Sequence, residues 1–197
     1  MWDERYSEPG YAYGAEPNDF LAAEAARIPP GGRVLCLAEG EGRNAVWLAG
    51  RGLVVTAVDQ SSVGLAKAET LAAERGVSIA TVQADLAVFE IEPGAWDAIV
   101  SIWGHLPRHV REVLHKKVAH GLRPGGVLIL EAYTPAQLAL GTGGPRDPGM
   151  CMTLASLREE LAGLEVVVGI EKEREVKEGK YHQGRSAVVQ VAAVRAG

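Results

Sequence analysis

The chain alternates short apolar runs with stretches whose apolar positions recur at helical spacing. Residues 33–38, 54–58, 78–83, 96–102 and 127–132 are mostly hydrophobic, too short for typical helices, and nearly continuous rather than alternating. Such runs suit strands covered on both faces, as in a parallel sheet. Between them the spacing predicts helices over 19–28, 43–51, 61–75 and 107–120. Their ends carry the matching signals. Asn18 or Asp19, and Ser61 with Ser62, stand at N-cap positions; Pro107 opens a helix; Gly52 and Gly76 stop two others. This rhythm predicts an α/β, doubly wound, Rossmann-like sheet with helices on both faces.

The last third changes character. Residues 141–149 are rich in Gly and Pro and read as a loop, and 153–164 as a helix. Strands over 165–176 and 186–194, joined by a turn at 177–180, make a hairpin. The charges over 171–175 suit an exposed edge. No repeat or boundary divides the chain, so one domain over 1–197 is expected, with 1–18 as an arm or lid.

Composition narrows the function. With 197 residues, 47% hydrophobic and 23% charged, the chain is of ordinary globular type and not disordered. No apolar run approaches the ~20 residues that span a bilayer, and the first residues do not read as a signal peptide. A net charge of −5 gives no basic excess for nucleic acid. Membrane and nucleic acid are therefore not expected partners. Cys36 lies in an apolar strand run and reads as a buried thiol, Cys151 is the only other cysteine, and a cytoplasmic location follows most simply. Cys, His, Asp and Glu do not cluster at zinc spacing, so no metal is expected.

The chemistry centres on residues 34–45, where a strand runs into Gly40-Glu41-Gly42 and a helix follows. Glycine lets backbone approach a ligand, and a helix start offers free N–H groups. Asp59 ends the next strand, 19 residues after Gly40. A carboxylate there can accept both hydroxyls of a ribose, or can help Ser61 cap its helix. The segment satisfies the dinucleotide pattern G-x-G-x-x-A, so NAD is one candidate ligand. S-adenosylmethionine is the other. Glu39 and Glu41 would repel a pyrophosphate and attract an ammonium or sulfonium, which favours the second.

These segments resemble the class I S-adenosylmethionine-dependent methyltransferases. The resemblance runs from Phe20 to Val194 and rests on the glycine turn, Asp59, Ala84-Asp85-Leu86, 96–101, and Leu122-Arg123-Pro124-Gly125-Gly126. More narrowly, Trp2-Asp3-Glu4-Arg5-Tyr6, 14–21 and Gly42-Arg43-Asn44 resemble the tellurite-resistance (TehB-like) group. The family implies a seven-stranded, mostly parallel sheet whose last strand is antiparallel and enters beside the fifth. It implies S-adenosylmethionine, leaving as S-adenosylhomocysteine, held by Glu39, Gly40, Glu41, Gly42 and Asn44. Asp59, Gln60 and Ser61 should lie at the ribose, Ala84, Asp85 and Leu86 at the adenine, and Ser101, Ile102 and Trp103 at the methyl group. The sequence departs from the pattern at Cys36, where an acid is usual, and at Ala38, where glycine is usual; Glu39 is the neighbouring carboxylate that could substitute.

The acceptor side is read more openly. The arm carries Trp2, Tyr6, Tyr11 and Tyr13, whose ring faces could meet a sulfonium or simply pack on the domain. His105 could be a base, an orienting group or a structural histidine, and Tyr133 could face the cleft or be buried. His109, His115 and His120, with Arg108, Arg111, Lys116 and Lys117, read as a solvated helix face. Tyr181 to Arg185 reads as a polar turn, or as a site where His182 and Arg185 bind an oxyanion. Arg146 sits in the 141–149 loop, a second candidate wall. The catalytic candidates are thus His105, His182, Arg185 and Tyr13. The expected function is methyl transfer to a small molecule, a tellurium or selenium oxyanion or a thiol among the options, by a monomer or homodimer. A protein or RNA methyltransferase, an NAD-dependent oxidoreductase and a non-catalytic nucleotide-binding module are the alternatives.

Overall fold

The structure, a computed structural model, describes residues 2–197. The strands are β1 (Arg33–Leu37), β2 (Val54–Asp59), β3 (Ala80–Gln83), β4 (Trp96–Ile102), β5 (Leu122–Tyr133), β6 (Leu164–Glu178) and β7 (His182–Arg195). The helices are α1 (Trp2–Tyr6), α2 (Asp19–Glu24), α3 (Arg43–Gly50), α4 (Ser62–Glu74), α5 (Arg108–Gly121) and α6 (Leu154–Glu160). One seven-stranded sheet runs in the order β3-β2-β1-β4-β5-β7-β6. β1 to β5 pair in parallel, and β7 lies antiparallel between β5 and β6. The expected sheet, with its antiparallel last strand beside the fifth, is the one observed.

Strand parity explains the continuous apolar runs. Successive side chains point to opposite faces, and both faces are covered. Leu35, Leu37, Ile99, Leu128 and Leu130 pack with Leu114, Val118 and Leu157 of α5 and α6. Val34, Cys36, Ala57, Val100 and Ile129 pack with Phe20, Leu21, Leu48 and Leu65 of α2, α3 and α4. Cys36 is the buried thiol its run predicts. The sheet is wound outward in both directions from the adjacent pair β1 and β4. The ends of those strands open on the crevice where such sheets bind ligands.

Four elements differ from expectation, the first being β5, which begins at Leu122 and not near 127. Helix α1 forms in the arm, where no helix is predicted. The hairpin is longer than read: Glu178 pairs with His182, so 182–185 is strand and the turn falls at 179–181. The helix over 108–121 is not solvated all round. Arg108, His109, Lys116 and His120 are exposed, but Arg111 and His115 are buried. Arg111, Leu114, His115 and Val118 stand at i, i+3, i+4 and i+7, the inward face of a helix.

Arg111 and His115 converge on Glu160 of α6. Arg111 donates through Nε and Nη2 at 2.9 and 2.8 Å, and His115 Nδ1 lies 2.7 Å away. Burial alone would raise the Glu160 pKa; the bonds from His115 and Arg111 outweigh it and hold the carboxyl at about 2. A carboxylate depressed in the fold stabilises above its unfolded pKa, and that stability fades as pH falls toward 2. Glu160→Gln should therefore lose about 3 kcal/mol at neutral pH, with the gap from the wild type closing in urea titrations between pH 4.5 and 2. A gap independent of pH would contradict the ion-pair account.

Candidate active site

The chain leaves β1 through left-handed backbone: Ala38, Gly40 and Gly42 have φ of 51°, 61° and 86°. Trp103, just past the neighbouring β4, has φ 58°. Non-glycine residues in this region cost roughly 1–2 kcal/mol each, so two adjacent strand tips are held in strained form. Gly40 N–H donates to Asp59 Oδ2, and Ser61 N–H to Oδ1, both at 2.9 Å. Burial raises the Asp59 pKa against the backbone bonds that lower it. Each oxygen of an ionised carboxylate has two lone pairs, so each keeps one after these bonds. Asp59 thus braces the helix start, as one reading held, and retains capacity for two hydroxyls, as the other required.

Next to it, Ala84 N–H donates to the Asp59 carbonyl at 3.0 Å and ties the tip of β3 to β2. Asp85 is exposed, with Oδ1 accepting from Ala87 N–H at 2.9 Å, and Leu86 is buried. Gln60 is exposed. Ser61 caps α4 through Gly64 N–H at 3.0 Å, and its hydroxyl donates to Asp3 of the arm.

The two turn glutamates, expected at the cofactor, hold backbone in this structure. Glu39 Oε1 accepts from Asn44 and Ala45 N–H at 2.9 and 2.8 Å and so caps α3. Burial carries its carboxyl up to about 7 despite those bonds. Glu41 accepts from Ala12 N–H at 2.7 Å and from Lys67 Nζ at 2.9 Å, and Lys67 also donates to the carbonyls of Glu8 and Gly10. Glu41 therefore fastens the arm. Gly42 is a packing glycine: a Cβ there would stand 2.4 Å from Ala68 Cβ. Asn44 Oδ1 accepts from Asn18 N–H at 2.9 Å. The cations beside the turn, Lys67 and Arg43, are each locked onto a carboxylate, Arg43 onto Glu178. Neither is left to receive a pyrophosphate, and the donor set fits a cationic, phosphate-free nucleoside better than a dinucleotide.

The arm lies directly over this turn. A Cβ on Gly40 would fall 2.5 Å from Tyr6 Oη, and one on Gly64 2.9 Å from Tyr6 Cδ2. Bare backbone at both positions makes the cradle that Tyr6 covers. Trp2 stacks on Tyr6 at 5.8 Å, and Tyr13 meets its edge at 6.4 Å. Arg5 donates to Tyr13 Oη at 2.7 Å and lies over the Tyr181 ring.

Beyond Trp103 the rings of His105, Tyr133, His182 and Tyr13 gather. Ser101 and Ile102 are buried in the wall behind them. His105 is tied on both sides of its ring. Its Nδ1 is 3.0 Å from the Trp103 carbonyl, and its Nε2 accepts from Tyr133 N–H at 2.9 Å, so both nitrogens are engaged. Burial pushes its pKa down to about 4. His182 faces inward and is buried, and burial takes it down to about 3. Arg185 does not join it. In a strand, residues three apart point to opposite faces, and Arg185 is exposed and paired with Glu173. The proposed His182–Arg185 anion site is therefore not assembled.

Sequence reasoning missed the network behind this wall. Glu178 accepts from Asn18 at 2.8 Å, from Arg43 and Trp103 Nε1 at 2.5 Å, and from Arg174 at 3.2 Å. Glu131, fully buried, accepts from Asn18, Arg174 and Gln190. Two carboxylates and two guanidiniums thus join the arm, α3, β4, β5 and the hairpin. The available signal was the period of two: Val176, buried and apolar, shares its face with Arg174 and Glu178.

Comparison with known proteins agrees with this geometry. Residues 34–126 match the family described as a methyltransferase domain. No curated protein matches the chain in sequence. Among solved structures, one concerned with conversion of a disulfide bond into a thioacetal group during echinomycin biosynthesis is 21% identical, with TM-score 0.74 over 99% of this chain and 91% of that one. TehB from Haemophilus influenzae is 20% identical, with TM-score 0.72 over 90% of this chain and 61% of that one. An S-adenosylmethionine-dependent methyltransferase from Methanosarcina mazei is 16% identical, with TM-score 0.73 over 88% and 97%. At these identities the structures establish the shared fold.

Proposed function

We propose that this chain is a class I S-adenosylmethionine-dependent methyltransferase and that it methylates a small-molecule acceptor; the methyltransferase-domain match over residues 34–126 and the shared fold support the reading. The observation that carries the site is Asp59, pinned between the glycine turn and the start of α4 with lone pairs to spare. The cofactor, S-adenosylmethionine, supplies a methyl carbon on a positively charged sulfur. Asp59 takes the ribose hydroxyls, Asp85 and the Leu86 amide take the adenine, and Gly40 backbone with Tyr6 lines the methionine end. Ser101, Ile102 and Trp103 face the methyl group. The rings of Tyr6, Tyr13 and Trp103 offer cation–π contact of ~0.5–2 kcal/mol each.

The chain's own residues then act by enclosure and alignment. Such positioning supplies up to ~7–11 kcal/mol in well-oriented reactions. Arm and hairpin close together: Glu8 bonds Lys180 and Tyr181, and Lys180 N–H donates to the Ala12 carbonyl at 2.8 Å. That roof supports a small acceptor over a protein or RNA chain. The tellurite option draws on likeness to TehB alone, since Arg185 lies outside the site.

Thermal unfolding tests this reading. S-adenosylhomocysteine at about 100 times its Kd contributes about 2.7 kcal/mol, which for a chain of this size raises Tm by about 5–10 °C. NAD should leave Tm unchanged. Stabilisation by NAD alone would overturn the reading, and a screen of thiols, phenols, amines and oxyanions for methyl uptake then identifies the acceptor.

A further inference from the structure

A second concavity lies at the other end of the sheet from the glycine turn. It gathers the loop before β4, the last turns of α5, the start of β5 and the end of β7. β4 runs from there, at Trp96, to the crevice, at Ile102. A strand of that length spans ~20 Å, so the two openings are well separated.

The groove encloses about 630 Å³, within the range of ~300–1,000 Å³ usual for small-ligand sites. Its floor is apolar, made by Ile91, Pro93, Val113 and Pro124. Ile91 is buried against Gly121, where a Cβ would collide with it. Val113 is 50% exposed, a large apolar side chain left to solvent.

The rim is cationic. Val113, Lys116, Lys117 and His120 stand at i, i+3, i+4 and i+7, so one stripe of α5 brings all four to the groove. This stripe is distinct from the inward one of Arg111, Leu114, His115 and Val118. Across from it, Arg195 Nη1 donates to the carbonyls of His120, at 2.9 Å, and Leu122. His120 Nδ1 donates to the Lys116 carbonyl at 2.7 Å, which fixes its ring. The neighbouring acids are engaged: Glu90 with Lys117, Glu92 with Arg33 and Glu112 with Arg108. Lys116 and Arg195 have no carboxylate partner among the described residues. A guanidinium carries five N–H donors, so Arg195 retains several beside the groove. On a chain of net charge −5 this is a local cationic excess above an apolar floor.

We propose that this groove is a second ligand site, separate from the cofactor crevice, and that it binds a small amphipathic carboxylate. The apolar chain or ring of the ligand covers Ile91, Pro93, Val113 and Pro124. Its carboxylate meets Lys116 and Arg195 through charge-assisted hydrogen bonds. A neutral ligand of the same shape forgoes the rim, and a cationic one is repelled by it.

Calorimetry with octanoate tests the site, with octanol and octylammonium as neutral and cationic twins. Octanoate should bind the wild type at one site, octanol at least threefold more weakly, and octylammonium not at all. Val113 and Lys116 are both exposed, so Val113→Asp and Lys116→Glu should keep Tm within ~2 °C. Octanoate affinity should fall at least tenfold in Val113→Asp and at least fivefold in Lys116→Glu. Saturating S-adenosylhomocysteine should change it less than twofold. No binding of octanoate by the wild type, or unchanged affinity in either variant, would overturn the inference. So would octanol bound as tightly as octanoate, or octanoate displaced by S-adenosylhomocysteine.

Discussion

Asp59→Ala should weaken S-adenosylhomocysteine binding about 100-fold in calorimetry. Hydrogen bonds to a charged group are worth ~1.5–3 kcal/mol each, and two ribose hydroxyls lose their acceptor. A loss of about 3 kcal/mol corresponds to roughly two powers of ten. The same substitution frees the N–H groups of Gly40 and Ser61, which Asp59 holds at 2.9 Å. Asp59→Asn separates the two roles. Its single carbonyl oxygen can keep one backbone bond, so it should recover much of the stability and little of the affinity. Full affinity in Asp59→Ala would refute the ribose assignment.

Glu178→Ala should lower stability by about 3–5 kcal/mol in urea unfolding, with m unchanged. Removing one partner of a buried ion pair leaves uncompensated charge in the interior. Here Arg43 and Arg174 would both be stranded, and Asn18 and Trp103 would each lose an acceptor. For a chain of this size the loss corresponds to a fall in Tm of about 6–20 °C. The Glu178 carboxyl is held below its usual range although burial acts to raise it, because Arg43, Trp103 and Arg174 prevail. Its stabilisation is therefore present above the unfolded pKa and lost as pH falls through the depressed folded value. A change below 1 kcal/mol would show that the network is not a structural hub.

The sheet was legible because its signals are local. Continuous apolar runs, caps and stops follow from neighbours in the chain, and β1 to β4 fall within two residues of their expected ends. The turn and Asp59 were legible for the same reason, since one glycine pattern and one spacing define them. What escaped depends on pairing across distance. Glu41 reads as a ligand-facing carboxylate until Ala12, 29 residues away, is placed on it. Arg185 reads as an anion binder until the hairpin register turns it outward. His115 and Arg111 look solvated by composition, yet their helical spacing puts them on the same face as Leu114 and Val118. Tyr133 and His182 were candidates one by one, but their meeting beneath Gly143 and Gly144 was not legible, because those glycines reach them only through the fold.

A crystal grown with S-adenosylhomocysteine would test the central assignment most directly. The account predicts both ribose hydroxyls within hydrogen-bonding distance of the Asp59 carboxylate and the homocysteine end beside Gly40. Ligand bound elsewhere, with Tyr6 still seated on Gly40 and Asp59 bonded only to Gly40 and Ser61, would contradict it.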